Sequence, residues 1–307
     1  MAQATGIVTI TAATTARAAP EPSGWRAWLR QAGVLTALPM ALLMLAGFVA
    51  PLLLVVAFAF MPPQSFSILQ PPTLANFQEI FANSFYRSFL ASLYLAAATT
   101  LICMVVCYPV AYAMVRVFGR VAGVLALLIT APLFVADNLR LVGWMLFLVK
   151  GGVLSGALQA WFGIATDSML YTVSATLFGL VYTYLPFMLF PMIMGIAMVP
   201  LEMREAAFDL GATRWQVLKE VDIPLAMPGI LIGALMTFIL AAGALSEPRI
   251  LGGSSVVMIA QDIQNEFTFA QNWPKGSALS VLMILVAGVL AVTLLRRIDL
   301  DGIFGRR

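Results

Sequence analysis

Glu205-Ala-Ala-Phe-Asp-Leu-Gly-Ala-Thr-Arg-Trp-Gln-Val-Leu-Lys-Glu-Val-Asp-Ile-Pro224 is the one densely charged stretch inside an otherwise apolar chain. It lies between two uncharged runs, one ending at Leu201 and the other beginning at Ile223. A polar segment held between membrane spans is a surface built to touch something soluble.

The surrounding composition makes those flanks spans. Of 307 residues, 62% are hydrophobic and 10% charged, with a mean hydropathy of +0.97. A soluble domain with so few polar side chains lacks the means to cover its own surface, which points to a polytopic, all-α membrane protein. The formal charge of +3 is too small for a nucleic-acid patch. Histidine is absent, which excludes His-ligated metals, Ser-His triads and His proton relays. Cys103 and Cys107 stand four apart in an apolar run and read as small helix residues rather than a disulfide or metal pair.

Six segments suit a bilayer, where a spanning helix needs about 20 apolar residues. They fall at 33–61, with Pro39 and Pro51 inside; between Arg87 and Arg116; at 121–149, interrupted by charge; between Asp167 and Glu202; from Pro228 to before Glu247; and between Lys275 and Arg296. Residues 1–32 and 299–307 read as tails, the first flexible, around a transmembrane domain at 33–298. With both termini inside, twelve of the seventeen Lys and Arg residues fall on the inner side, which orients the chain and makes the 202–224 segment cytoplasmic.

Within that segment Glu205, Ala206, Ala207, Asp209 and Leu210 suit one short helix, which Gly211 ends or bends before Ala212. Thr213 is placed to cap a second helix through Arg214, Trp215, Leu218 and Lys219, and Pro224 is expected to stop it before the fifth span. Small residues for close approach, Trp215 and Leu218 as apolar anchors, and mixed charge around them form a docking knob. An amphipathic helix resting on lipid headgroups is the competing reading, and the acidic Glu202, Glu205, Asp209, Glu220 and Asp222 weigh against it because anionic lipid repels them.

Glu205-Ala-Ala, Gly211 and Ile223-Pro224 resemble the EAA loop of importer permeases of the ABC superfamily with the type I fold. Gly179-Leu-Val-Tyr-Thr-Tyr-Leu-Pro-Phe-Met188, Pro228-Gly-Ile230, Leu251-Gly-Gly253, Asn272-Trp-Pro-Lys-Gly276 and the spacing of Pro132, Arg140 and Trp144 resemble the spermidine/putrescine-type branch, over roughly residues 85–297. The resemblance implies a subunit that pairs with a second, homologous permease over two cytoplasmic ATPase subunits, fed by an extracytoplasmic solute-binding protein. It implies that Glu205 to Lys219 form a coupling helix seated in an ATPase cleft. ATP and Mg are then bound by the ATPase subunits, with no cofactor in this chain. In agreement, no GxxxxGK[ST] phosphate loop occurs, and none of Lys150, Lys219 and Lys275 follows a glycine.

Ionisable residues within spans default to functional hypotheses. In a continuous helix from 121, Asp137 stands about 24 Å up, in the outer part of a core about 30 Å thick. Asp137 and Arg140 share a helix face at i,i+3, and two readings are open: a brace within the bundle, or part of a substrate path with Trp144. Tyr182 and Tyr184 offer hydroxyls or ring faces to an amine, or simply pack. Glu247 and Arg249 flank Pro248 where the fifth span ends, Trp273 reads as an interface anchor, and Gly229-x-x-x-Gly233 marks a close helix approach that the partner permease is one candidate to fill. The resemblance implies a small polar solute, a polyamine-like one first, with an opine, amino-acid-like or other small organic solute as the alternative. The rival from another class, an ion-coupled secondary transporter, calls for an internal repeat and a buried relay, neither of which is seen.

Overall fold

The computed structural model describes residues 32–67, 69–164 and 167–296. Every regular element among them is helical. The tails read at 1–32 and 299–307 lie outside the described residues, apart from Ala32, the first helical residue. The chain divides into two compact units, one ending at Leu53 and the other beginning at Leu54.

The first unit is described as helix α1 (Ala32–Met44) running into a π-helical turn at Leu45–Val49. That turn falls just before Pro51, which has no N–H to give to the carbonyl four residues back.

The second unit begins within α2 (Ala50–Ala59) and continues with α3 (Ala75–Ala82) and α4 (Phe85–Arg116). At 32 residues, α4 is about 48 Å long and outruns a hydrocarbon core of about 30 Å. Helices α5 (Val121–Thr130), α6 (Asp137–Leu148), α7 (Val153–Phe162) and α8 (Val173–Ala197) come next. The charged segment supplies α9 (Leu201–Asp209) and α10 (Arg214–Val217), and the remainder is α11 (Ile223–Ala242), α12 (Ile259–Thr268) and α13 (Trp273–Leu295). Among the described residues, six helices are long and apolar enough to cross a membrane: Ala37–Ala59, Phe85–Arg116, Asp137–Phe162, Val173–Ala197, Arg214–Ala242 and Trp273–Thr293.

The third of these departs from the expected 121–149. Val121–Phe134 is a shorter apolar helix ending in a 3-10 turn that contains Pro132, and Ala136 is then extended (ψ 135°). A new helix starts at Asp137, whose carboxylate suits the positive end of a helix dipole better than a helix interior. Asp137 is thus the first residue of α6 and does not stand on a continuous helix from 121.

The core is a three-helix packing of α4, α8 and α11. Cys103, Cys107, Ala111 and Met114 meet Met188, Leu189, Met192 and Ile196, which meet Ala226, Ile230 and Ala234. The Sγ of Cys103 faces the Val181 carbonyl at 3.8 Å and that of Cys107 the Leu185 carbonyl at 3.7 Å, so α4 and α8 run parallel. Helix α11 runs antiparallel to α8, with Gly229 against Gly195 and Gly233 against Met188. In lipid, apolar faces gain nothing by leaving solvent, so helices associate through small residues that allow close approach. The Gly229-x-x-x-Gly233 face is therefore filled within this chain, by α8, and not kept for a partner permease.

Candidate functional site

The charged segment folds as two short helices separated by a tight turn, the form a knob requires. Helix α9 ends through hydrogen bonds from the Gly211 amide to the Phe208 carbonyl (2.9 Å) and from the Ala212 amide to the Ala207 carbonyl (3.0 Å). Gly211 sits at φ +86°, the left-handed position that favours glycine after a helix. Thr213 then forms a capping box. Its Oγ1 accepts from the Gln216 amide (3.4 Å), and Gln216 Oε1 accepts from the Thr213 amide (2.8 Å).

Pro224 does not stop the second helix. Leu218–Asp222 is a π-helical turn in which the Ile223 amide reaches the Leu218 carbonyl, and the helix runs unbroken from Arg214 to Ala242. The wider turn absorbs the donor that proline lacks. The second loop helix and the fifth span are one rod.

Glu205, Ala206, Asp209, Gly211, Arg214, Trp215, Lys219 and Pro224 are exposed, with Ala207 and Ala212 half-buried. Leu210 and Trp215 are apolar yet 89% and 70% exposed, and Trp215 also borders a groove of about 700 Å³ with Tyr112, Arg116, Arg204, Phe208 and Leu218. Asp222 corrects the sequence reading. Instead of joining the acidic surface it is buried, 3.0 Å from the Arg204 guanidinium.

The residues proposed for a path converge around α8. Arg140 donates to Asp137 Oδ1 (2.9 Å) and lies 5.7 Å from the centre of the Tyr182 ring. Trp144 packs edge-on to Tyr182 (5.3 Å) and Phe178 (4.6 Å). The Tyr182 face is thus already occupied by the protein's own cation. Glu247 is fully buried, its Cβ against the position of Gly179, with Thr183 and Tyr184 beside its carboxyl. Its Oε1 has no hydrogen-bond partner. Burial raises the proton affinity of Glu247 above the usual carboxylate range. A backbone hydrogen bond opposes this, the charge of Asp137 adds to it, and the Tyr184 and Thr183 hydroxyls oppose it more weakly. Arg249 points elsewhere, donating to Gln264 Oε1 at 3.3 Å.

Some polar contacts carry no sequence signal. Lys275 joins Glu79 (2.9 Å) and Glu266 (3.3 Å) and lies over the Phe85 ring, pairing residues from three distant parts of the chain. Trp273, expected as an interface anchor, is packed edge-on by Phe58, Phe66 and Phe267 while remaining partly exposed.

Six helices long and apolar enough to span a bilayer, with an exposed two-helix loop continuous with one of them, are the features of a multi-pass membrane protein. Residues 111–300, more than half the chain, match the family model of the binding-protein-dependent transport system inner membrane component, and the chain belongs to that family. It is 33% identical over 246 residues to the spermidine/putrescine transport system permease protein PotB of Haemophilus influenzae, covering 79% of this chain and 86% of that protein. Against PotB of Escherichia coli the identity is 31% over 220 residues, covering 71% and 80%. In fold it resembles a chain from the crystal structure of a bacterial ABC transporter involved in the import of the acidic polysaccharide alginate. There the TM-score is 0.73 at 18% identity, covering 89% of this chain and 97% of that one. The protein is an inner-membrane permease subunit of an ABC importer, and ATP hydrolysis belongs to separate subunits of such systems.

Proposed function

We propose that this permease imports a polyamine-like organic cation, pairing with a second homologous permease over two cytoplasmic ATPase subunits and receiving solute from an extracytoplasmic binding protein. ATP and Mg belong to the ATPase subunits, and both termini of this chain are cytoplasmic. The observation that carries the coupling half is the exposed Leu210 and Trp215 on a knob whose second helix is continuous with the fifth span. An apolar aromatic held out on a rigid support is the form an interface anchor takes. Glu205, Ala206, Ala207, Asp209, Gly211, Ala212, Arg214 and Lys219 surround it. When the ATPases close, the loop is carried with them and access switches from one side to the other by rigid-body motion.

For the cargo, the support is the spermidine/putrescine naming of the relatives together with the grouping of Glu247, Trp144 and Tyr184 along α8. Asp137 and the Tyr182 face become available to an ammonium ion when Arg140 is displaced. Carboxylates and aromatic faces are the groups that bind ammonium ions. Arg140 in the same cluster favours a second reading, a zwitterionic amino-acid-like or opine solute that meets both signs of charge. The test is uptake of labelled spermidine by proteoliposomes holding the permease pair, the ATPases and the binding protein. ATP-dependent accumulation competed by putrescine but not by amino acids supports the polyamine. Transport by this chain with no ATPase present would refute the importer coupling.

A further inference from the structure

At the loop end of the core, four side chains tie together elements that the proposed coupling requires to move together. Arg204 on α9 places Nε 3.0 Å from Asp222 Oδ1, in the π turn at the foot of α11. Its Nη2 donates to the Tyr112 hydroxyl of α4 at 2.6 Å. One turn on, Arg116 donates from Nη2 to the Ile196 (3.2 Å) and Val199 (2.8 Å) carbonyls, which end α8.

The chemistry of this cluster is unequal. Asp222 is 1% exposed and neither of its oxygens has a hydrogen-bond partner, so the Arg204 charge is what compensates it at contact distance. A buried charge that loses its partner is left uncompensated, so Arg204 is not free to let go. A guanidinium is a rigid fork, and here its two ends serve different helices at a fixed angle. Arg204 also directly precedes Glu205 and Ala206 on α9, the exposed residues of the knob.

We infer that Arg204 is the positioning residue that passes displacement of the loop to α4 and α11, with Arg116 extending the linkage to α8, so that the loop and three spans move as one body. This rests on the reading of the loop as the ATPase dock. Without the strut, α9 is docked but yields when pushed.

The test uses the assembled transporter in proteoliposomes, with a cysteine at Ala206 to report cross-linking to the ATPase. Wild-type permease is expected to cross-link; its failure to do so would overturn the docking reading and the strut with it. In Arg204→Gln and Asp222→Asn we expect cross-linking and basal ATP hydrolysis to persist while uptake falls about tenfold or more. The exchange Arg204→Asp with Asp222→Arg restores the charge pair but not the bond to Tyr112, and is expected to recover part of the uptake lost in the single variants. Wild-type uptake in both single variants, with cross-linking intact, overturns the strut alone. If the single variants do not insert, Tyr112→Phe removes only the hydroxyl that Arg204 uses. Lowered uptake with normal cross-linking then supports the linkage, and unchanged uptake overturns it.

Discussion

A methyl group added to Gly229 would lie 2.6 Å from the Cα of Gly195 and against the Pro191 carbonyl, so α11 and α8 touch backbone to backbone. Gly195 answers in kind, its added Cβ meeting the Gly229 Cα at 2.9 Å. Neither contact can be relieved by turning a side chain. Gly229→Ala is therefore expected to force the helices apart at a cost of about 1–3 kcal/mol. Gly288→Ala, with nothing within 4 Å, is expected to be neutral or slightly favourable. Thermal unfolding of the two variants in detergent compares them directly.

Trp215 separates association from stability. Because it is 70% exposed, Trp215→Ala should leave the unfolding midpoint of the isolated chain unchanged. As an interface anchor its loss should weaken ATPase binding by about 2 kcal/mol or more, read as co-purification yield against ATPase concentration. Wild-type binding would remove Trp215 from the interface.

Thr213 tests the loop's internal order. Thr213→Ala removes the acceptor of the Gln216 amide and should cost about 1 kcal/mol locally. Faster hydrogen exchange at Trp215 and Gln216, with α11 still protected, is the expected signature. Uniform protection would mean that the cap contributes nothing.

Glu247 gives a pH dependence. In the unfolded chain a glutamate ionises near about 4.3, whereas in the folded protein burial moves this one higher. Between those two values the folded state holds the extra proton. Its stabilising contribution is therefore complete below the ordinary value and is lost as pH rises through the folded one. Glu247→Gln should flatten this slope and raise the unfolding temperature at neutral pH relative to wild type. An unchanged slope in the variant would show that the carboxyl ionises as freely as a surface glutamate.

Lys275 is buried between Glu79 and Glu266. Removing Lys275 strands the buried Glu266, whereas Glu79 reaches solvent, so Lys275→Met is expected to destabilise the fold by about 3 kcal/mol. Adding Glu266→Gln should recover part of that loss. A double variant less stable than the single one would contradict the pairing.

The apolar runs and the Gly211 and Thr213 signals are legible because each is local: span length, a left-handed glycine and a capping residue are written within a few positions. The same local logic misplaces Pro224. A proline usually stops a helix, and whether a wider turn will carry the chain past it depends on what packs behind. Asp137 reads as lying within a helix because hydropathy over 121–149 does not reveal the extended Ala136. Asp222 reads as a surface residue since its partner lies on a separate helix, and no periodicity links the two. Of the residues proposed for a path, Asp137 and Arg140 are recognisable as a pair from their i,i+3 spacing. The approach of Glu247 to Thr183 and Tyr184 needs the fold, since the segment after α11 returns to α8 only in three dimensions.

The π turn at Leu218–Asp222 holds one residue more than an α-helical turn would need. Since each residue of an α-helix advances about 100° around the axis, that surplus sets the compass bearing of Arg214 and Trp215 relative to the fifth span. A one-residue deletion within 218–222 would keep Ala226, Gly229 and Gly233 in register with α8 while swinging the loop roughly a quarter turn. The direction in which the loop faces is thus fixed by a count of residues, and under the proposed docking a relative that lost one would need a differently oriented cleft to receive it.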